Sequence, residues 1–129
     1  MPCCLETIGK EACNEMKNKN PELFWQQCQT PDFGIIQCCK SCKTDVSELG
    51  SKIFKDGKKS KDCFDRHEKK FCLQLLYRFG WASNEIGCND DSLPFAFRTC
   101  RKTCNYCDIR LYEKNKTSEF CKKWESHYD

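Results

Sequence analysis

The sequence has little of what usually holds a domain together without crosslinks. Aliphatic residues are scarce, and the mean hydropathy is −0.78. A hydrophobic core alone would hold such a chain poorly, especially if it divides into units of about 40 residues. No apolar run approaches the roughly 18 residues that a membrane span needs. We therefore expect no membrane span and a source of stability other than apolar burial.

Histidine is also scarce, since His67 and His127 are the only two in the chain. A zinc–thiolate protein is disfavoured, because the cysteines do not form two Cys-x2-Cys knuckles separated by a loop of zinc-finger length. We predict no metal and no cofactor. The opening residues, Met1 to Cys4, have neither the basic start nor the apolar stretch of a signal peptide. We interpret the chain as a mature segment with an added Met1.

Cysteine, by contrast, is abundant: 14 of the 129 residues are Cys, about the level of a disulfide scaffold. An even count permits seven disulfides with no thiol left over. Such crosslinks persist in oxidising compartments, so we predict a secreted, extracellular protein. The net charge is +3, from 22 basic and 19 acidic residues that are interspersed along the chain. This pattern is typical of a solvated surface and does not favour nucleic acid as a partner.

The cysteines form two clusters, which divides the chain into four segments. We predict a first module at residues 3–42, a lysine-rich linker at 43–62, a second module at 63–107 and a tail at 108–129. The linker bears an exposed lysine cluster, interpreted as a solvated hinge or as a contact for an anionic polysaccharide or membrane surface. Its first half, residues 44–49, has the pattern of a short capped helical turn.

Helical signals inside the modules are short. Asn20-Pro21-Glu22 predicts a helix start that leads toward Cys28. A second helix is predicted by an apolar stripe ended by Gly80, and a third precedes Cys100. In the tail, Phe120 and Trp124 lie four residues apart beside Cys121, which predicts a helix pinned to the body. Asn115 begins an N-glycosylation sequon. The stripe of the second helix consists of Cys72, Leu75, Leu76 and Phe79.

The spacing of the second cluster is specific. It reads Cys63-x8-Cys72-x15-Cys88-x11-Cys100-x3-Cys104-x2-Cys107 and closes with CRKTCNYC at residues 100–107. The cluster resembles the ShK-type six-cysteine domains of sea-anemone toxins and secreted nematode proteins. The first cluster repeats the opening, with Cys4-x8-Cys13 and then Cys28, but it ends in the contracted sequence CCKSC at residues 38–42. The resemblance implies a small disulfide-rich fold of short α-helices: two tandem ShK-like modules with a C-terminal helical tail.

The resemblance also implies a pairing of the cysteines, first to sixth, second to fourth and third to fifth. These twelve cysteines leave two others, and we predict that Cys3 and Cys121 pair and tie the tail to the first module. In the second module the implied pairs are Cys63–Cys107, Cys72–Cys100 and Cys88–Cys104. In the first module they are Cys4–Cys42, Cys13–Cys38 and Cys28–Cys39. The family pattern further implies a structural salt bridge between Asp65 and Lys102.

The activity best known for this family is block of potassium channels by a lysine–aromatic dyad between the third and fourth cysteines. The matching segments here are residues 29–37, which contain no basic residue, and 89–99, which contain only Arg98. Channel modulation is therefore the alternative that the sequence disfavours.

Catalysis is not expected, because the cysteines are assigned to disulfides and His67 lies in a charged, solvated stretch. The remaining interpretation is a monomeric, non-catalytic protein that recognises an extracellular protein or receptor, as an effector (including an immunomodulator), a matrix protein or a receptor-associated protein. Aromatic residues are the usual anchors of protein interfaces, although these can also fill the contacts between modules and tail. The loop at residues 79–91 is the preferred binding segment. The candidate binding residues are Trp81, Phe79, Trp25 and Phe95.

Overall fold

The computed structural model describes residues 1–83, 86–114 and 121–122, and this part of the chain is mainly helical. No β-strand occurs in those ranges; a single antiparallel bridge joins Asp65 and Cys100. The expected small, disulfide-rich, mainly helical fold is confirmed. The α-helices are α1 (Lys10–Lys19), α2 (Pro21–Gln27), α3 (Cys39–Cys42), α4 (Val46–Ile53), α5 (Lys69–Tyr77) and α6 (Leu93–Thr99). A π-helical turn spans Asp32–Gln37, and 3-10 turns lie at Gly57–Lys59, Gly80–Ala82, Asp90–Ser92 and Ile109–Tyr112.

Side-chain caps begin two of the helices. The Asn20 side chain accepts a hydrogen bond from the Leu23 N–H at 3.1 Å, so α2 begins where the sequence predicts. Asp45 caps α4 in the same way through the Glu48 N–H. Each cap satisfies an N–H that the first helical turn leaves without a partner.

The apolar stripe predicted for the second helix is only partly correct. Cys72 and Leu75 are fully buried in α5, whereas Leu76 and Phe79 are exposed. Helix α5 ends at Tyr77, and Arg78 adopts a left-handed backbone conformation with φ of 58°. The chain thus leaves the helix before Phe79, which cannot continue the buried stripe.

All fourteen cysteines form disulfides, and five of the seven pairs are those that the sequence analysis expects. Cys3–Cys121 joins the two cysteines outside the six-cysteine pattern, across a separation of 118 residues. Cys121 and Lys122 of the predicted tail helix are helical, whereas Asn115, Phe120 and Trp124 lie outside the described residues. The other four expected pairs are Cys13–Cys38, Cys63–Cys107, Cys72–Cys100 and Cys88–Cys104.

The other two predicted pairs, Cys4–Cys42 and Cys28–Cys39, are wrong. The structure instead pairs Cys4 with Cys39 and Cys28 with Cys42. The Cys39 N–H donates to the carbonyl of Leu5 at 2.8 Å, which brings Cys39 beside Cys4. Cys42 lies one helical turn further along α3, where it reaches the end of α2. The contraction of the motif thus exchanges the partners of its last two cysteines.

The segment predicted as a linker contains a helix that is part of the core. Val46 and Leu49 of α4 are buried, and the ring of Phe54 stacks on Tyr112 at 5.3 Å between centroids. The Ser47 hydroxyl donates to the Tyr112 carbonyl, and the Tyr112 hydroxyl donates to the carbonyl of Tyr106. Burial raises the pKa of Tyr112 well above its usual range, so this hydroxyl remains a donor. Residues 43–62 are therefore not simply an exposed spacer.

One hydrophobic cluster crosses all four segments of the predicted organisation. It contains Leu5 and Ile35, Leu49 and Phe54 of the 43–62 segment, Phe97 and other residues of 63–107, and the tail residues Tyr112 and Cys121. A smaller cluster contains Cys13, Phe24, Cys28, Phe33, Cys38 and Cys42. The division into two modules stays a prediction, but their apolar residues share a core.

A buried arginine completes the contact between the two halves. Arg101 is 0% exposed, and its Nη2 donates to Asp32 of the π-helical turn at 2.6 Å. Its Nη1 donates to the Asp62 carbonyl at 2.6 Å. The guanidinium also lies 5.1 Å from the ring centre of Phe64 and 4.9 Å from that of Phe97. A buried charge requires such partners, because its desolvation is otherwise very costly.

The predicted salt bridge between Asp65 and Lys102 is wrong. The Asp65 carboxylate accepts from the backbone N–H of Thr103 at 2.9 Å and from its hydroxyl at 2.6 Å. Lys102 is exposed. Thr103, which follows Lys102, thus supplies the hydrogen-bond donors to Asp65. The buried cation in the sequence 100–107 is Arg101.

Replacement of Gly50 by Ala tests the packing of α4. Alanine normally stabilises a helix interior relative to glycine by roughly 1 kcal/mol. Here the added Cβ would lie 1.9 Å from Tyr112 Cδ1, so we expect Gly50→Ala to lower the free energy of unfolding by about 1–3 kcal/mol. The matched control is Ser51→Ala at an exposed position of the same helix. Equal stability of the two variants in denaturant unfolding would contradict the packing described here.

Candidate functional site

Four rings in the second half of the chain form a continuous surface feature, which we call the aromatic surface: His67, Phe71, Trp81 and Phe95. Phe71 stacks on His67 and on Trp81, with 4.2 Å between centroids in both pairs. Trp81 meets Phe95 edge to face at 5.9 Å. These distances lie within or just below the range of favourable aromatic pairs, so the rings support one another.

Helices α5 and α6 supply the foundation of the aromatic surface. Phe71 lies in α5 and Phe95 in α6. The disulfide Cys72–Cys100 joins the residue after Phe71 to the residue that caps the end of α6. The two rings are therefore carried by helices that are crosslinked next to them.

The turn after α5 positions Trp81. Gly80 has φ of 60°, in the left-handed region that favours glycine. The Gln74 side chain lies against this turn, and its Oε1 accepts the Trp81 N–H at 3.3 Å. A Cβ on residue 80 would lie 2.2 Å from that oxygen. Gly80 and Gln74 together set the direction in which Trp81 leaves the chain.

The rings of the aromatic surface remain substantially open to solvent. Trp81 and Phe95 are each 39% exposed, and His67 is exposed as well. Isolated apolar residues are normal on protein surfaces. A contiguous group of rings held on a rigid support is the kind of feature that marks an interaction site. The arrangement can bury apolar and π-electron surface against a partner.

The structure brings only two of the four predicted binding residues together. Trp81 and Phe95 belong to the aromatic surface, whereas Trp25 contacts Phe24 edge to face at 5.1 Å. Phe79 is 52% exposed, and no ring contact to it is found among the described residues. The sequence analysis missed Phe71 and interpreted His67 only as a solvated residue. Phe71 lies in α5, whereas His67 precedes the N-cap residue Glu68, so helical spacing alone would not have placed the two rings together.

The aromatic surface contains one titratable group, the imidazole of His67. His67 is stacked on Phe71, and the cysteine sulfurs are all in disulfides. Within the described ranges, no group of three or more His, Cys, Asp or Glu side chains is placed to hold a metal ion. In the same ranges, no helix has both the length and the apolar character to cross a lipid bilayer.

Comparisons of the chain with protein-family models, with curated proteins and with solved structures found no match. The resemblance to ShK-type domains thus rests on the cysteine spacing and stays a prediction.

The support of Trp81 can be tested by replacing Gly80 with Ala. Gly80→Ala is expected to cost about 1–2 kcal/mol of stability from the backbone conformation and to displace Gln74 and Trp81. The stacking of Phe71 on Trp81 should then weaken, which near-ultraviolet circular dichroism detects. Gly57→Ala is the matched control, with φ of 59° and no atom closer than 3.9 Å to the new Cβ. It should show a similar loss of stability with an unchanged aromatic spectrum; identical spectra for the two variants would contradict this role of Gly80.

Proposed function

We propose that this protein is a secreted, non-catalytic binding protein of two tandem ShK-like modules, and that it recognises an extracellular protein through the aromatic surface. The observation that carries the proposal is the group of four contacting rings, of which Trp81 and Phe95 are each 39% exposed. Tryptophan and other aromatic residues are enriched among the few residues that dominate binding energy.

The rigidity of the support favours recognition by a preformed surface. The rings of the aromatic surface contact one another, and the disulfide beside Phe71 crosslinks α5 to the end of α6. Side chains that are already ordered lose less conformational entropy when a partner binds. The seven disulfides are consistent with the proposed extracellular location, because such bonds persist in oxidising compartments.

A binding screen of the oxidised protein against extracellular receptors tests the proposal, followed by Trp81→Ala on each partner found. If Trp81 is an anchor, this change should weaken binding by about 2 kcal/mol or more, which is about thirty-fold. Trp25→Ala is the matched control, because Trp25 is 40% exposed and lies in a different aromatic group. The Trp25→Ala variant should bind the same partner with an affinity within about twofold of that of the unmodified protein.

The opposite pattern, with Trp25→Ala weakening binding and Trp81→Ala having no effect, would show that recognition uses another surface. A screen in which the folded protein binds no extracellular protein would overturn the proposal.

A further inference from the structure

A second feature, distant in sequence from the aromatic surface, lies between α1 and α3. It is an open cleft of about 360 Å³, and four lysines line it. We call it the lysine cleft. One acidic residue lines the same cleft, Glu6, which is only 3% exposed and accepts the Ser41 N–H at 2.7 Å. The four lysines are Lys10, Lys17, Lys40 and Lys43.

Helix α1 presents two lysines to the lysine cleft and charges of both signs, including Lys19, to a second groove. Lys10 and Lys17, seven residues apart, line the lysine cleft together. Glu11 and Glu15 line a different groove on the same helix. The chain as a whole carries a net charge of only +3. The lysine cleft has the same excess of positive charge, because four lysines and one glutamate line it.

The lysine cleft is longer than a single small anion. Two positions seven residues apart on an α-helix are separated by about 10 Å along its axis. Lys40 and Lys43 line the cleft from α3 and the residue that follows it. Ammonium groups on two sides of an extended, open cleft suit a chain of anionic groups better than one isolated ion.

The chemistry of the cations narrows the class of ligand. The cleft contains lysine and no arginine. Arginine is the usual choice for bidentate recognition of carboxylate or phosphate, whereas lysine acts as a compact point charge. Lysines spread along a cleft therefore favour a polymer with many separate anionic groups, bound in a salt-dependent manner.

The indole of Trp25 helps to position one of these lysines. The Lys17 Nζ lies over the Trp25 ring, 5.1 Å from its centre. Such a cation–π contact holds the ammonium group in place beside the cleft.

We infer that the lysine cleft binds a sulfated polysaccharide, with the ammonium groups of Lys10, Lys17 and Lys43 contacting sulfates. This site is independent of the aromatic surface. A failure of the function proposed above would therefore not affect this inference. The concave shape of the cleft favours a polysaccharide over a flat anionic membrane.

The test measures binding of the full, oxidised protein to a heparin oligosaccharide by calorimetry. Lys17→Gln/Lys43→Gln should weaken binding about tenfold or more. The matched control is Lys58→Gln/Lys59→Gln, which removes the same charge from two exposed lysines of the predicted linker. It should change the affinity less than about threefold. Binding should also fall steeply between about 50 and 200 mM salt, as for other polyanions.

Two further probes separate the possible sources of anionic groups. Desulfated heparin and vesicles that contain phosphatidylserine should bind much more weakly than the sulfated oligosaccharide. Amide NMR signals of α1 and α3 should shift on addition of the oligosaccharide, with those of residues 57–61 unchanged. Equal losses in the two double variants, binding to desulfated heparin at the same affinity, or binding to vesicles but not to heparin would each overturn the inference.

Discussion

The buried guanidinium of Arg101 is the contact on which the arrangement of this molecule depends. It lies between the rings of Phe64 and Phe97 and donates to Asp32, a residue 69 positions earlier in the chain. Asp32 also pairs with Arg66, so one carboxylate of the first half holds two cations of the second. A charge with no exposed surface is tolerated only when its partners are in place. This requirement fixes how the two halves meet.

Other contacts also join the two halves of the chain. The disulfide Cys3–Cys121 connects the ends of the described chain, and Phe54 and Tyr112 stack where α4 packs against the last helical turn. Two modules joined by a loose linker could present their surfaces in many relative orientations. A shared core and a buried ion pair reduce that freedom. The aromatic surface and the lysine cleft are therefore held on one support, as simultaneous recognition of a protein and a polyanion would require.

Local signals predict part of this fold: Asn20 marks the start of α2, and the resemblance of the cysteine pattern to a known family implies four of the seven disulfides. The implied pairing fails at Cys39 and Cys42, the last two cysteines of the contracted motif, because their partners depend on the path of the chain near Leu5. The sequence also does not identify Arg101 as buried. A charged side chain is normally expected on the surface, and the partner Asp32 is remote in sequence. Trp81 and Phe95 are predictable as candidate anchors from their residue type. Their contact with Phe71 requires the turn at Gly80 and the disulfide Cys72–Cys100, which joins α5 to the end of α6.

The most direct measurement is a double-mutant cycle on Asp32 and Arg101, with the disulfides intact. Asp32→Asn, Arg101→Met and the double variant are unfolded in denaturant, and their free energies of unfolding are compared. If the buried pair joins the halves, Asp32→Asn should cost about 3–5 kcal/mol, because it leaves Arg101 without its carboxylate. The two changes should be coupled by about 1–3 kcal/mol. Effects that add to within about 0.5 kcal/mol would contradict the account, because residues in contact do not behave independently.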